Sequence, residues 1–298
     1  MPKIAYKEIN FRDKSLELIE KVNEIVADYS EQNYELTLRQ LYYQLVARDI
    51  IPNNQRSYDN VGVLVNNGRL AGLIDWHSIS DRTRNLRKLS HWESPSEIIE
   101  SAAHQYRVDK WEGQENYVEV WVEKDALVEI VGKAAERWDT PYFSCRGYVS
   151  QSEMWGAAQR ISYNLNRRGF ERAYIIHLGD HDPSGIDMSR DILERLTMFS
   201  EDLSDRIELD RIALNMPQIR HYNPPPNPAK ITDSRYGAYV AQHGGKSWEL
   251  DALDPRVLDS LIDNAIREHL DTSLYSECQA AEQRERDRLL DFARSWED

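Results

Sequence analysis

Three carboxylates stand where two apolar runs stop. The run YVEVWVE ends on Glu123. The run AYIIHLGD ends on Asp180, with Asp182 two residues further on in GDHDPSG. Runs this rich in β-branched and aromatic residues read as strands. In open α/β sheets, ligands gather at the carboxyl ends of strands, so two neighbouring strands would bring these acids to one place. Hard divalent cations take oxygen ligands, and Mg²⁺ is held by one or two carboxylates together with substrate phosphates. An Asp-x-Asp at a strand end lets both side chains reach one ion. The same residues also have an ordinary use. DHDPSG is full of turn formers, Asp182 can cap the next helix, and a lone Glu123 reads as a surface acid or ion-pair partner.

Positioning these acids requires a sheet, and the spacing predicts one. From Tyr117, NYVEVWVEK reads as a strand, DALVEIVGKAAERW as a helix and TPYFSC as a strand. SQSEMWGAAQRISYNLNRRG is a helix, RAYIIHLGD a strand, PSGIDMSRDILERLTMF a helix and ELDRIALN a strand. Such alternation implies a mostly parallel sheet with helices on its faces. Before it, residues 11–30 form an amphipathic helix, a second helix runs from the N-cap Thr37 to about Arg48, and a third covers about 58–70. AGLIDWHSISDRTR alternates as a small hairpin would. Three helices and a short β element with a basic bias resemble a winged-helix module. Residues 93–115 read as a linker or brace. HYNPPPNPAK cannot be regular structure, and the chain from SWELDALDP onward reads as helical.

The chain has 298 residues, 41% of them hydrophobic and 30% charged. No apolar run approaches the ~20 residues a membrane span needs. MPKIAYKEINF lacks the apolar stretch of a signal peptide. Cys145 and Cys278 form no CxxC pair, so a reducing cytoplasm is expected. The net charge of −14 argues against nucleic acid, but it is unevenly spread. Residues 36–90 hold eight basic and four acidic residues, whereas residues 249–298 hold fourteen acids and six arginines. A local basic surface can bind phosphates within an acidic protein.

A Glu ending the first strand, a Gly-containing turn after the second (RGYVSQ) and Asp-x-Asp after the third together resemble the Toprim domain. VEKDAL and GDHDPSGIDM are most similar to the topoisomerase VI A subunit and its meiotic double-strand-break relatives. The likeness spans about residues 12–215. It implies a Toprim-type, Rossmann-like parallel sheet in which Glu123, Asp180 and Asp182 hold Mg²⁺. It also implies a winged-helix domain over residues 1–92, the linker over 93–115, the Toprim domain over 116–215 and a helical extension over 216–298.

The same family carries a nucleophilic tyrosine in a pattern like TLRxLFY. TLRQLYY fits it and assigns the role to Tyr43. Periodicity points the same way. Leu38, Leu41, Tyr42, Leu45 and Val46 follow i, i+3, i+4, i+7, i+8, a core stripe that includes Tyr42 and leaves Tyr43 off it. An unburied Tyr43 is therefore expected, with Arg39 one turn before it on the same face. A nearby cation favours the phenolate and steadies phosphate charge. As a lone tyrosine, Tyr43 would read as a surface or interface residue.

Arg82, Arg84 and Arg87 on the wing, Arg146 in the turn beside the acids, and Lys246 in QHGGKS are the candidates for DNA contact. QHGGKS is not a P-loop, because Val240 stands where the first glycine belongs. The resemblance implies a DNA-cleaving transesterase on double-stranded DNA. In that family the tyrosine of one subunit meets the metal site of the other, so a homodimer is expected. Any ATPase would be a separate subunit, and a nucleoid-associated cytoplasmic location is expected. Two alternatives stay open: a metal-dependent nuclease of the plasmid-defence type using water, and a non-catalytic DNA-binding protein.

Overall fold

The computed structural model describes residues 3–31, 35–79 and 89–295. It is an α/β protein with two hydrophobic cores. The smaller core belongs to the first three helices, α1 (Asp13–Ser30), α2 (Leu38–Ala47) and α3 (Gln55–Leu70). Val22, Tyr29, Leu41, Leu45 and Ile74 are fully or almost fully buried in it. Thr37 caps α2 as its sequence predicts, in a capping box with Gln40. The expected hairpin is absent from the described part of its stretch: residues 71–79 make only single bridges, Ala5 to Ala71 and Leu36 to Ile79. The rest of that stretch, with Arg82, Arg84 and Arg87, lies outside the described residues.

The larger core surrounds a four-stranded parallel sheet. Its strands are β1 (Asn116–Val122), β2 (Tyr142–Ser144), β3 (Arg172–Leu178) and β4 (Ile207–Ala213), in the order β2-β1-β3-β4. Val118, Val120, Trp121, Ile175 and Ile176 fill its centre, as continuous apolar runs do in parallel strands covered on both faces. Helices α5 (Val128–Glu136), α6 (Gln151–Arg167) and α7 (Pro183–Phe199) form the crossovers. The chain moves from β1 out to β2, then back past β1 to β3. Right-handed crossovers in opposite directions place α5 and α6 on opposite faces. Accordingly α6 packs on α7, and α5 packs on a later helix, α10 (Pro255–Glu268).

After β4 come α8 (Met216–Tyr222), a two-residue strand β5 (Asn227–Pro228), α9 (Tyr236–His243) and its partner strand β6 (Lys246–Ser247). The proline-rich stretch thus contributes one short rung. Two helices close the chain, α10 (Pro255–Glu268) and α11 (Thr272–Ser295). The stretch 93–115 also contains α4 (Pro95–Gln105), which lies along α11. Lys110 reaches Glu282 of α11 at 2.7 Å, and the Ser96 hydroxyl donates to Ala293 O at 3.1 Å. Among the described residues, no helix is long and apolar enough to cross a membrane.

Candidate functional site

The strand order reverses between β1 and β3, and a crevice opens at such a point beyond the carboxyl ends of the two strands. Glu123 follows β1 directly, and Gly179–Asp180 follow β3. The Asp180 N–H donates to Glu123 Oε2 at 2.8 Å, so the two strand ends are tied together by one of the acids. Two glycines make this approach possible. A Cβ on Gly179 would sit 3.0 Å from Glu123 Oε2, and one on Gly185 would sit 2.2 Å from Asp180 O. Arg211 of β4 gathers the loop from behind. Its Nη2 donates to Gly179 O and Asp180 O at 2.9 and 2.6 Å, and its Nη1 donates to Gly185 O at 2.9 Å. Asp182 Oδ1 accepts from Gly185 N at 2.6 Å and from Ser184 Oγ at 2.9 Å, so it is the N-cap of α7. Its ordinary use is realised.

Burial, with the charge of Asp180 next, pushes the Glu123 carboxyl up to about 7. Burial likewise pushes Asp180 up to about 6, although Lys124 opposes the shift. Lys124 Nζ lies 3.1 Å from Asp180 Oδ1, 2.7 Å from Glu249 Oε2 and 2.8 Å from Asp251 Oδ1. The chain therefore places its own cation among these acids.

A cleft of ≈ 570 Å³ opens beside this corner. It is lined by Asp180, Asp182 and Lys124 from the strand ends, by Arg39, Tyr42 and Tyr43 of α2, and by Lys230 and Glu249. The antiparallel bridge between His181 and Trp248 holds the aspartate loop against the strand that leads into Glu249. The Glu249 carboxylate then meets four groups. Arg39 Nη2 and Lys124 Nζ both reach Oε2, Asn227 Nδ2 donates to Oε1 at 3.2 Å, and the Tyr43 hydroxyl is within its electrostatic reach. Burial disfavours this anion, yet Lys124 and Arg39 outweigh burial and hold its carboxyl down at about 2. Asp251, with a side chain 0% exposed, receives Arg39 Nε at 2.7 Å.

Tyr43 departs from expectation. It is 4% exposed, as buried as Tyr42 at 5%. Its helix is covered twice, once along the predicted stripe and once by the 250–252 turn, whose Ala252 joins the smaller core. Burial, then the charges of Asp251 and Glu249, push its phenol above the ordinary value despite Arg39. Arg39 stands 5.8 Å from the Tyr43 ring centroid, as its spacing predicts, but its guanidinium is already paired with two carboxylates. Tyr42 packs as expected, and its hydroxyl donates to Asn53 Oδ1 at 2.8 Å. Tyr43 and the two aspartates line one cleft within a single chain.

Arg146 is exposed, in a left-handed conformation, and pairs with Asp125 at 3.0 Å. Lys246 is exposed on β6 and is not among the residues lining the cleft. Lys124, Glu249, Asp251, Asn227 and Arg211 escape the sequence reading. The closest signal is the pair of acids in WELDAL, which there looks like the start of an acidic helix.

For a hard divalent cation, the donor chemistry fits. Glu123, Asp180 and Asp182 are all carboxylates, and Gly179 and Gly185 each lack a Cβ that would stand 3.0 and 3.1 Å from Glu123 Oε2. Their present positions do not close a cage: among the described residues, no three His, Cys, Asp or Glu side chains form a group that could hold a metal ion. Compared with known protein families and with curated proteins, the chain matches no family model and no curated sequence.

Proposed function

We propose that the cleft cuts the DNA backbone by transesterification, in the manner of a topoisomerase VI A subunit. In this reading α1–α3 are the core of a winged-helix domain and the sheet is a Toprim domain. One observation carries it: Tyr43 on α2 and the strand-end aspartates, far apart in sequence, line a single cleft beside a switch point. The Tyr43 oxygen attacks a backbone phosphorus. A phosphotyrosyl ester forms, the bond from phosphorus to one deoxyribose oxygen breaks, and that oxygen takes up a proton. The phenolic proton leaves to solvent. Arg39 steadies the phosphate charge. Glu123, Asp180 and Asp182 would hold Mg²⁺, which supplies charge neutralisation at the phosphate when bound. A homodimer would make one break in each strand, any ATPase would come from another chain, and the setting would be the cytoplasmic nucleoid.

A second reading has its own support. Tyr43 is buried and its proton is held by neighbouring carboxylates, as suits a nuclease in which water attacks and the tyrosine is a wall of the cleft. Tyr43→Phe separates the two. With duplex DNA and Mg²⁺, wild type should give protein-linked DNA on a denaturing gel, and the variant should give neither adduct nor break. Undiminished cleavage by the variant would establish the water-using nuclease instead.

A further inference from the structure

We infer that Arg39, Lys124 and Asn227 form a phosphodiester-binding subsite whose place is held, in the state described, by the Glu249 carboxylate. This deepens the reading of the cleft as a DNA site and rests on it for the identity of the ligand.

A carboxylate here receives a guanidinium and an ammonium on one oxygen and an amide on the other. That donor set suits a phosphate oxygen equally well: Arg supplies a planar fork, Lys a point charge and Asn a neutral donor. The two cations come from separate parts of the fold, α2 and the end of β1, and converge on one carboxylate oxygen. Their other partner, Asp251, has a wholly buried side chain and serves as the permanent counter-ion. Glu249 differs. Its side chain is 26% exposed, and it lines the open cleft. It also stands immediately after the bridge that anchors Trp248, so its side chain can swing without unpairing the backbone rung. Displacement would exchange the carboxylate charge beside Tyr43 for one phosphodiester charge while Asp251 keeps both cations in place. The resting chain therefore carries an internal substitute for its ligand, and an acidic protein keeps this anion site covered until a polyanion competes for it.

The test is DNA binding without divalent cation, so that no cleavage intervenes. Anisotropy of a short fluorescein-labelled duplex is followed against salt for wild type, Glu249→Gln and Glu249→Ala. Glu277→Gln, on the exposed side of α11, controls for the loss of one negative charge. One added phosphate contact steepens the log–log salt slope by about 0.9, which amounts to roughly eightfold tighter binding at about 0.1 M salt. Both Glu249 variants should show this gain, and Glu277→Gln should not. Glu249→Gln keeps the shape of the side chain and reports even where Glu249→Ala fails to fold. No gain in Glu249→Gln, including no detectable binding by any of the proteins, overturns the inference. So does an equal gain in Glu277→Gln. Because binding is read without chemistry, failure of the Tyr43 experiment leaves this result intact, and the reverse also holds.

Discussion

Replacing Arg211 by methionine should cost the fold more than any surface change near the cleft. Its guanidinium donates four hydrogen bonds: to Gly185 O and Ser189 Oγ at 2.9 and 3.1 Å, and to Gly179 O and Asp180 O at 2.9 and 2.6 Å. Hydrogen bonds to a charged group contribute about 1.5–3 kcal/mol each, so the set contributes roughly 6–12 kcal/mol before its cost is counted. Dehydrating the guanidinium opposes this by several kcal/mol. Its burial shows as a pKa below the ordinary arginine value. A net loss of about 3–5 kcal/mol remains in Arg211→Met. For a chain of this length, about 2 °C per kcal/mol makes that a fall of roughly 6–10 °C in Tm. Arg211→Lys keeps the charge but not the fork, and should fall between the two. Differential scanning fluorimetry gives the ranking, and hydrogen exchange over residues 179–186 should accelerate first. A methionine variant that melts within about 2 °C of wild type would show that the loop does not depend on this residue, and the reasoning would fail.

Gly185→Ala should disrupt the same loop by crowding. Its new Cβ would lie 2.2 Å from Asp180 O, a backbone atom with no freedom to yield. A melting temperature equal to wild type would refute this. His177 gives a pH dependence. Its ring is fully buried, with Nδ1 3.0 Å from Ser189 Oγ, and burial, then the charge of Arg211, hold its pKa down at about 3. The unfolded chain takes up this proton near pH 6.5 and the folded chain does not. The stability owed to this group is thus complete above about pH 6.5 and is lost as pH falls toward 3. Urea unfolding between pH 7 and 4 should show His177→Gln losing less stability than wild type, and equal slopes would refute the assignment.

The sheet was legible because parallel strands covered on both faces need uninterrupted apolar runs, and VEVWV and AYIIHL supply them. Helix starts were legible where a side chain closes a local ring, as at Thr37 and Asp182. The burial of Tyr43 is not legible, for the opposite reason. Helical periodicity registers only one buried stripe, and the second cover on α2 comes from residues 250–252, more than two hundred positions later. Arg39 was placed on the correct face, but its partner Glu249 is 210 residues away. No local pattern reports such a pairing. The same limit hid Arg211, whose alternating position in β4 looks like an ordinary solvent-facing residue until the aspartate loop folds over it.

The short strip from Glu249 to Asp254 has a mechanical meaning as well. Its acids hold Arg39, Ala252 plugs the smaller core, and Asp254 accepts from the Tyr29 hydroxyl at 2.8 Å. The front helices are thus riveted to the sheet by the segment that also occupies the anion seat. Because Glu249 can leave that seat by its side chain alone, Asp251, Ala252 and Asp254 would go on fastening the front helices to the sheet, and the seat could empty without loosening the rivet.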